Sequence, residues 1–141
     1  FVDTDLLIEE GCKMSIEEIF AIHGEKWFRQ LEEETIRHLS NLQHTVISTG
    51  GGIVLNEENI IHLKTNGNVF LLDGDLETII SNLKTSSVTR PLLNNKDWVM
   101  KVEELLGLRK DLYHNSTDFT VSINNKSISS IIDEIVELYC K

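Results

Sequence analysis

The sequence predicts an α/β fold, a parallel sheet joined by helical crossovers and covered by helices on both faces. Two observations carry this expectation. Helix-period and strand-like segments alternate along the chain, the pattern of crossover connections. The strand-like runs, "VFLL" at 69–72 among them, are continuously apolar rather than alternating, as strands buried on both faces require. A single proline, Pro91, and the lack of any repeat or low-complexity tract leave no linker, so residues 1–141 read as one domain.

The elements follow in order. Phe1–Asp3 reads as the end of a strand. Asp3 and Asp5 read as helix N-cap residues for a segment beginning at Leu6, because a short carboxylate can accept from free backbone N–H groups. Ser15-Ile16-Glu17-Glu18 is a capping box, with Met14 and Ile19 spaced for a hydrophobic staple. That helix ends near Gly24. A longer one runs from Glu25 to about Asn41, with Phe28, Leu31, Thr35, Leu39 and Leu42 along one stripe. Thr45–Ser48 is a strand and Glu58–Lys64 a short helix closed by the Asn66-Gly67 turn. Asn68–Leu72 is a strand, Leu76–Leu83 a helix, and Thr85–Lys96 a polar loop carrying the proline. A helix from Asp97 to about His114, a strand over Phe119–Ile123 and an amphipathic helix over Ser127–Cys140 complete the chain.

Composition narrows the function. A net charge of −10 argues against nucleic acid as a partner, because counterion release needs a basic surface. An anionic ligand would need a few placed cations working against a repulsive field. No apolar run approaches the roughly 18 residues of a membrane span, and no signal peptide is evident. Cys12 and Cys140 form neither a disulfide framework nor a zinc motif, so both read as structural thiols of a reducing, cytoplasmic compartment.

Ligands of open α/β sheets collect at the carboxyl ends of strands, where Asp3-Thr4-Asp5, Gly50-Gly51-Gly52 and the loop after Leu72 fall. Three consecutive glycines serve either a turn with positive φ or a backbone approach that a Cβ would block. Arg109 lies in an apolar stripe with Trp98, Val102, Leu105 and Leu112, and a cation there must snorkel out or meet an anion. Either a structural ion pair or a ligand carboxylate satisfies it. Arg29 lies beside the stripe of its own helix, with Glu32 three residues on, able to brace it; a plain surface pair is the other reading. Arg90, held extended by Pro91 in a polar loop, reads as a lid cation or as part of an ordinary solvated loop.

Taken in order and spacing, "FVDTDLLIEE", "SIEEIF", "GEKWFRQLEEE", "VISTGGGIV", "RPLL" and "LRKDLY" resemble shikimate kinase, the small P-loop kinase family that phosphorylates shikimate in aromatic amino-acid biosynthesis. The likeness runs from Phe1 to about Tyr113 and continues more weakly to the end. It implies a three-layer P-loop kinase fold, ATP and Mg²⁺ as cofactors, shikimate as substrate, and a cytoplasmic monomer with no nucleic-acid or membrane partner. By the same resemblance Asp5 would hold a substrate hydroxyl and serve as its base, and Asp3 would reach the Mg²⁺ shell through water. Arg29 and Arg109 would clamp the substrate carboxylate, with Phe28 and Glu32 shaping the pocket. Gly50, Gly51 and Gly52 would lie against substrate and the transferring group. Arg90 would be the lid arginine of residues 85–96, and Lys126 the basic residue of the adenine loop.

The sequence departs from the family pattern in three places. The phosphate loop G-x-x-x-x-G-K-[ST] and the central first strand that precedes it are absent from these residues, so a longer protein is expected. The helix before the lid, "ETIISNLKTSSVTR", has no arginine ahead of Arg90. The adenine loop reads "SINNKS". A related sugar-acid kinase such as gluconate kinase, and a non-catalytic kinase-like binding module, stand as the alternative readings.

Overall fold

The computed structural model describes residues 1–85 and 97–141. Arg90, Pro91 and the expected lid beyond Thr85 lie outside the described residues. The chain forms two compact units, Phe1–Gly67 and Asn68–Lys141.

In the first unit, β1 (Val2–Asp3) pairs in parallel with β2 (Ile47–Ser48), Val2 opposite Ile47. The expected strand at 45–48 thus contracts to its last two residues, and Val46 stands exposed. Helix α1 (Thr4–Cys12) follows β1 without a linker. Asp3 is its N-cap: Oδ1 accepts from the N–H groups of Asp5 (3.0 Å) and Leu6 (3.2 Å). Asp5 is therefore no cap but lies inside the first helical turn, a correction to the expected start at Leu6. Lys13 closes the helix in the left-handed region, and the Glu9 carboxylate then accepts from Ile16 N–H at 2.8 Å, tying the end of α1 to the start of α2.

Helix α2 (Ile16–Leu39) opens on the expected capping box, with Ser15 Oγ accepting from Glu18 N–H and Glu18 Oε2 from Ser15 N–H at 2.8 Å. Gly24 interrupts it with φ 82° and ψ 171°, where the sequence placed a helix end. The region is open to glycine and strained for other residues. On α1 and the first part of α2, Ile8 and Ile19 pack with Phe28 into a buried cluster flanked by Cys12, Met14, Phe20 and Trp27. Burying each such side chain contributes about 1.5–3 kcal/mol before ordering costs. Met14 and Ile19 both join this cluster, as the staple spacing predicts.

Beyond the kink the buried residues are Phe28, Glu32, Ile36 and Leu39. The expected stripe is thus shifted: Leu42 is exposed, and a carboxylate occupies a core position. A 3-10 turn over Ile53–Leu55 leads to α3 (Glu57–Asn66), which packs on α2 and on that turn.

In the second unit, β3 (Phe70–Asp73) and β4 (Phe119–Ser122) pair in parallel, with the Phe70 and Phe119 rings stacked at 4.9 Å. Helices α4 (Leu76–Thr85), α5 (Trp98–Ser116) and α6 (Ile128–Tyr139) complete it. Leu72, expected inside, is 52% exposed, and β3 pairs only with β4 among the described residues. Every described strand pair is parallel and the class is α/β, as the alternation predicts. Cys12 is half-buried and Cys140 exposed, so only the first thiol has the structural placement expected of both. No described helix is long and apolar enough to cross a membrane.

At the carboxyl ends of β3 and β4 the following loops are stitched together. Asp75 N–H donates to Asn124 Oδ1 at 2.8 Å, and Asp75 Oδ1 accepts from Thr78 N–H at 2.8 Å. The Thr78 backbone bond, with a smaller part from its side chain, holds the Asp75 carboxyl below its ordinary value of 3.8. A carboxylate whose native pKa is depressed adds stability above its unfolded pKa and loses it as pH falls through the native value. Stability should therefore drop on acidification below about pH 4. Asp75→Asn, which keeps a capping oxygen, should flatten that part of the curve in urea unfolding measured against pH.

Candidate active site

None of Gly50, Gly51 and Gly52 has positive φ; among the described glycines only Gly24 does. The triple glycine is thus explained by close approach rather than by positive φ. A Cβ placed on Gly50 would lie 3.2 Å from Asp5 Oδ1 and 3.5 Å from Oδ2. One placed on Gly52 would lie 2.3 Å from Arg29 Nη1 and 2.5 Å from Nη2. The carboxylate from the start of α1 and the guanidinium from α2 are therefore both packed on one short stretch of bare backbone.

The local fold brings this about. β1 and β2 run side by side in parallel, so the residues after each, Asp5 and Gly50, leave the sheet at the same end. The backbone beyond Gly50 is turned at once, with Ile53 N–H donating to Gly50 O and Leu55 N–H to Gly52 O at 3.0 Å. Asn59, fully buried, donates from Nδ2 to Ile53 O at 3.1 Å and fixes that turn to α3. Asn56 caps α3 and donates from Nδ2 to Glu33 Oε2 at 3.0 Å, fixing the turn to α2 as well. Neither asparagine was marked by the sequence reading; the spacing of Asn56 ahead of a helical run was the available signal.

Arg29 is held on several sides. Nη1 donates to Glu32 Oε2 at 2.7 Å and Nη2 to Glu25 Oε1 at 3.3 Å, while Cζ lies 5.2 Å from the centroid of the Phe28 ring. Glu32 is 1% exposed on its side chain and Arg29 24%, so the brace is a buried pair and not the surface contact considered from the sequence. Removing one partner of a fully buried pair costs about 3–5 kcal/mol. Partial exposure of Arg29 and the second carboxylate, Glu25, reduce this to about 1–3 kcal/mol for Glu32→Gln. Urea unfolding of the variant against the wild type measures it.

A family model for shikimate kinase matches residues 1–140. The chain belongs to the shikimate kinase family. A shikimate kinase of Caldanaerobacter subterraneus subsp. tengcongensis is 40% identical over 141 residues, all of this chain and 81% of that protein. One from Alkaliphilus oremlandii is 40% identical over 137 residues, 96% of this chain and 81% of the other. A solved shikimate kinase from Acinetobacter baumannii, in complex with shikimate, superposes with a TM-score of 0.90 at 29% identity, covering 98% of this chain and 76% of that one. Membership makes the chain a P-loop kinase and ATP its phosphoryl donor.

The remaining residues that the shikimate kinase resemblance singled out fall as follows. Asp3 spends one carboxylate oxygen on the α1 cap and is half-buried. Arg109 is half-buried on α5, the helix that also carries the buried Val102, and among the described residues no carboxylate pairs with it. Leu112, expected on the same inward stripe, is exposed. Lys126 reaches Glu134 on α6, so its charge is already met within its own unit. A cavity of about 370 Å³ in the second unit is lined by Asp73, Gly74, Asp75, Lys110 and Asn124 among others, and Lys126 does not border it. Among the described residues no group of three His, Cys, Asp or Glu side chains could hold a metal.

Proposed function

We propose that this chain phosphorylates the 3-hydroxyl of shikimate with ATP, the step that gives shikimate 3-phosphate in aromatic amino-acid biosynthesis. The observation that carries the reading is the convergence of the Asp5 carboxylate and the Arg29 guanidinium on the backbone of Gly50 and Gly52. A base and a forked cation set on one rigid floor suit a small molecule bearing both a hydroxyl and a carboxylate. In this reading Asp5 holds the attacking hydroxyl and takes its proton. Arg29 and Arg109 grip the carboxylate, Phe28 and Glu32 keep Arg29 in place, and Gly51 lies against the substrate. Arg90 and Lys126 attend the ATP phosphates and adenine, and Asp3 holds a water of the Mg²⁺ shell, the metal supplying charge neutralisation at the phosphates. Phosphoryl transfer asks mainly for such positioning and electrostatic stabilisation. The family match over residues 1–140 supports reading them as one catalytic domain, and in this reading it acts in the cytoplasm as a monomer.

The 141 residues contain no G-x-x-x-x-G-K-[ST] motif, so the full-length gene product is the material for the test. With ATP and Mg²⁺, a coupled assay of ADP release should respond to shikimate and stay silent with gluconate. Release with gluconate alone, or with neither acid, overturns the proposal.

A further inference from the structure

The glycines on either side of Gly51 differ in how tightly they meet the side chains packed on them. At Gly52 a Cβ would come within 2.3 Å of Nη1, 2.5 Å of Nη2 and 2.6 Å of Cζ of Arg29, so the guanidinium lies on the main chain with no room for a methyl group. At Gly50 the nearest atom, Asp5 Oδ1, would be 3.2 Å away, a crowding that a small shift relieves. Neither position has the positive φ that would demand glycine for its dihedral angles. The requirement at Gly52 is thus purely one of space, and the space belongs to Arg29.

We propose that Gly52 is the positioning residue of Arg29, setting where that side chain presents its free donors and hence the selectivity for a carboxylate. The inference deepens the proposed function and rests on Arg29 being a carboxylate clamp. The guanidinium is fenced by the Gly52 backbone on one side, Glu32 and Glu25 on others, and the Phe28 ring. Three of these four contacts come from α2, the helix that bears Arg29, and move with it. Among the described residues Gly52 is the contact supplied by a different element, so it sets the distance from the guanidinium to the glycine backbone. A methyl group there meets the far end of a flexible side chain. It therefore pushes the guanidinium off its seat while leaving the fold intact.

The test uses Gly52→Ala in the full-length, ¹⁵N-labelled protein, read in two ways. Without ligand, the Arg29 Nε–H resonance, close to the Phe28 ring, should shift in Gly52→Ala and hold its place in Gly50→Ala, while resonances away from the Arg29–Glu32 pair show both variants folded. In steady-state assays Gly52→Ala should raise KM for shikimate roughly 10- to 100-fold, as displacement of a positioned group by about 1 Å does. Its kcat and KM for ATP should stay within about twofold of wild type. In an Arg29→Ala background the same glycine change should have almost no further effect, the mark of two residues acting as one. An unmoved Arg29 resonance, or an equal KM penalty in both backgrounds, overturns the proposal. A shifted resonance in an enzyme that ignores shikimate leaves the seat standing and rejects the substrate reading instead.

Discussion

Asp5→Asn in the full-length protein is expected to lower kcat by about two to four orders of magnitude while shikimate still binds, the usual yield of a positioned general base. Asparagine keeps the shape and one accepting oxygen, so the hydroxyl stays oriented, but the proton has nowhere to go. Asp5 is suited to the role by its setting in the first turn of α1, directly after β1 and at the carboxyl end of the strand pair. The Gly50 backbone lies beside it, where a Cβ would come within 3.2 Å of Oδ1. Steady-state kcat with an equilibrium titration of shikimate separates the two effects. Transition states of phosphoryl transfer are loose, so the kcat of the variant reads how far removal of the hydroxyl proton contributes to the step. A fall in kcat of less than tenfold would therefore reduce Asp5 to an orienting group and remove it as base.

The second large effect is expected at Arg109. Arg109→Ala should weaken shikimate binding about 30- to 1,000-fold, corresponding to about 2–4 kcal/mol for truncating one side of a desolvated charge pair. ATP binding should be nearly unchanged. Its charge is unmet: Arg109 is half-buried on α5, and among the described residues no carboxylate pairs with it. A cation so placed is expensive unless a ligand completes it. Arginine rather than lysine suits the task, since its planar fork can take both oxygens of a carboxylate. Calorimetric titration with shikimate, then with ATP, reads both halves of the prediction. Equal shikimate affinity in variant and wild type contradicts the clamp.

How much of this was legible beforehand differs by residue. The Ser15 capping box, the break at Gly24 and the parallel α/β class were readable because they depend on local chemistry within a few positions. Glu32 was not readable as a core residue, because its burial is tolerated only through the Arg29 pair, and pairing is a property of the folded helix face. The stripe of α2 was misplaced for the same reason: a carboxylate in the apolar row disguised the row. The purpose of the glycines was open from the sequence and was resolved by contacts with Asp5 and Arg29, which lie 45 and 23 residues away from Gly50 and Gly52 in the chain. Strand lengths fell short of expectation because an apolar run marks burial, whereas pairing depends on a neighbour that no local window contains.

The interruption at Gly24 carries a consequence for how this protein can diverge. In an unbroken α-helix each inserted or deleted residue turns everything downstream by about 100°. A guanidinium five residues further along would swing away from its seat with the first such event. The extended link at Gly24 interrupts that propagation, so the bearing of Arg29 is set by the helical turns after the break rather than by the angular phase inherited from the Ser15 cap.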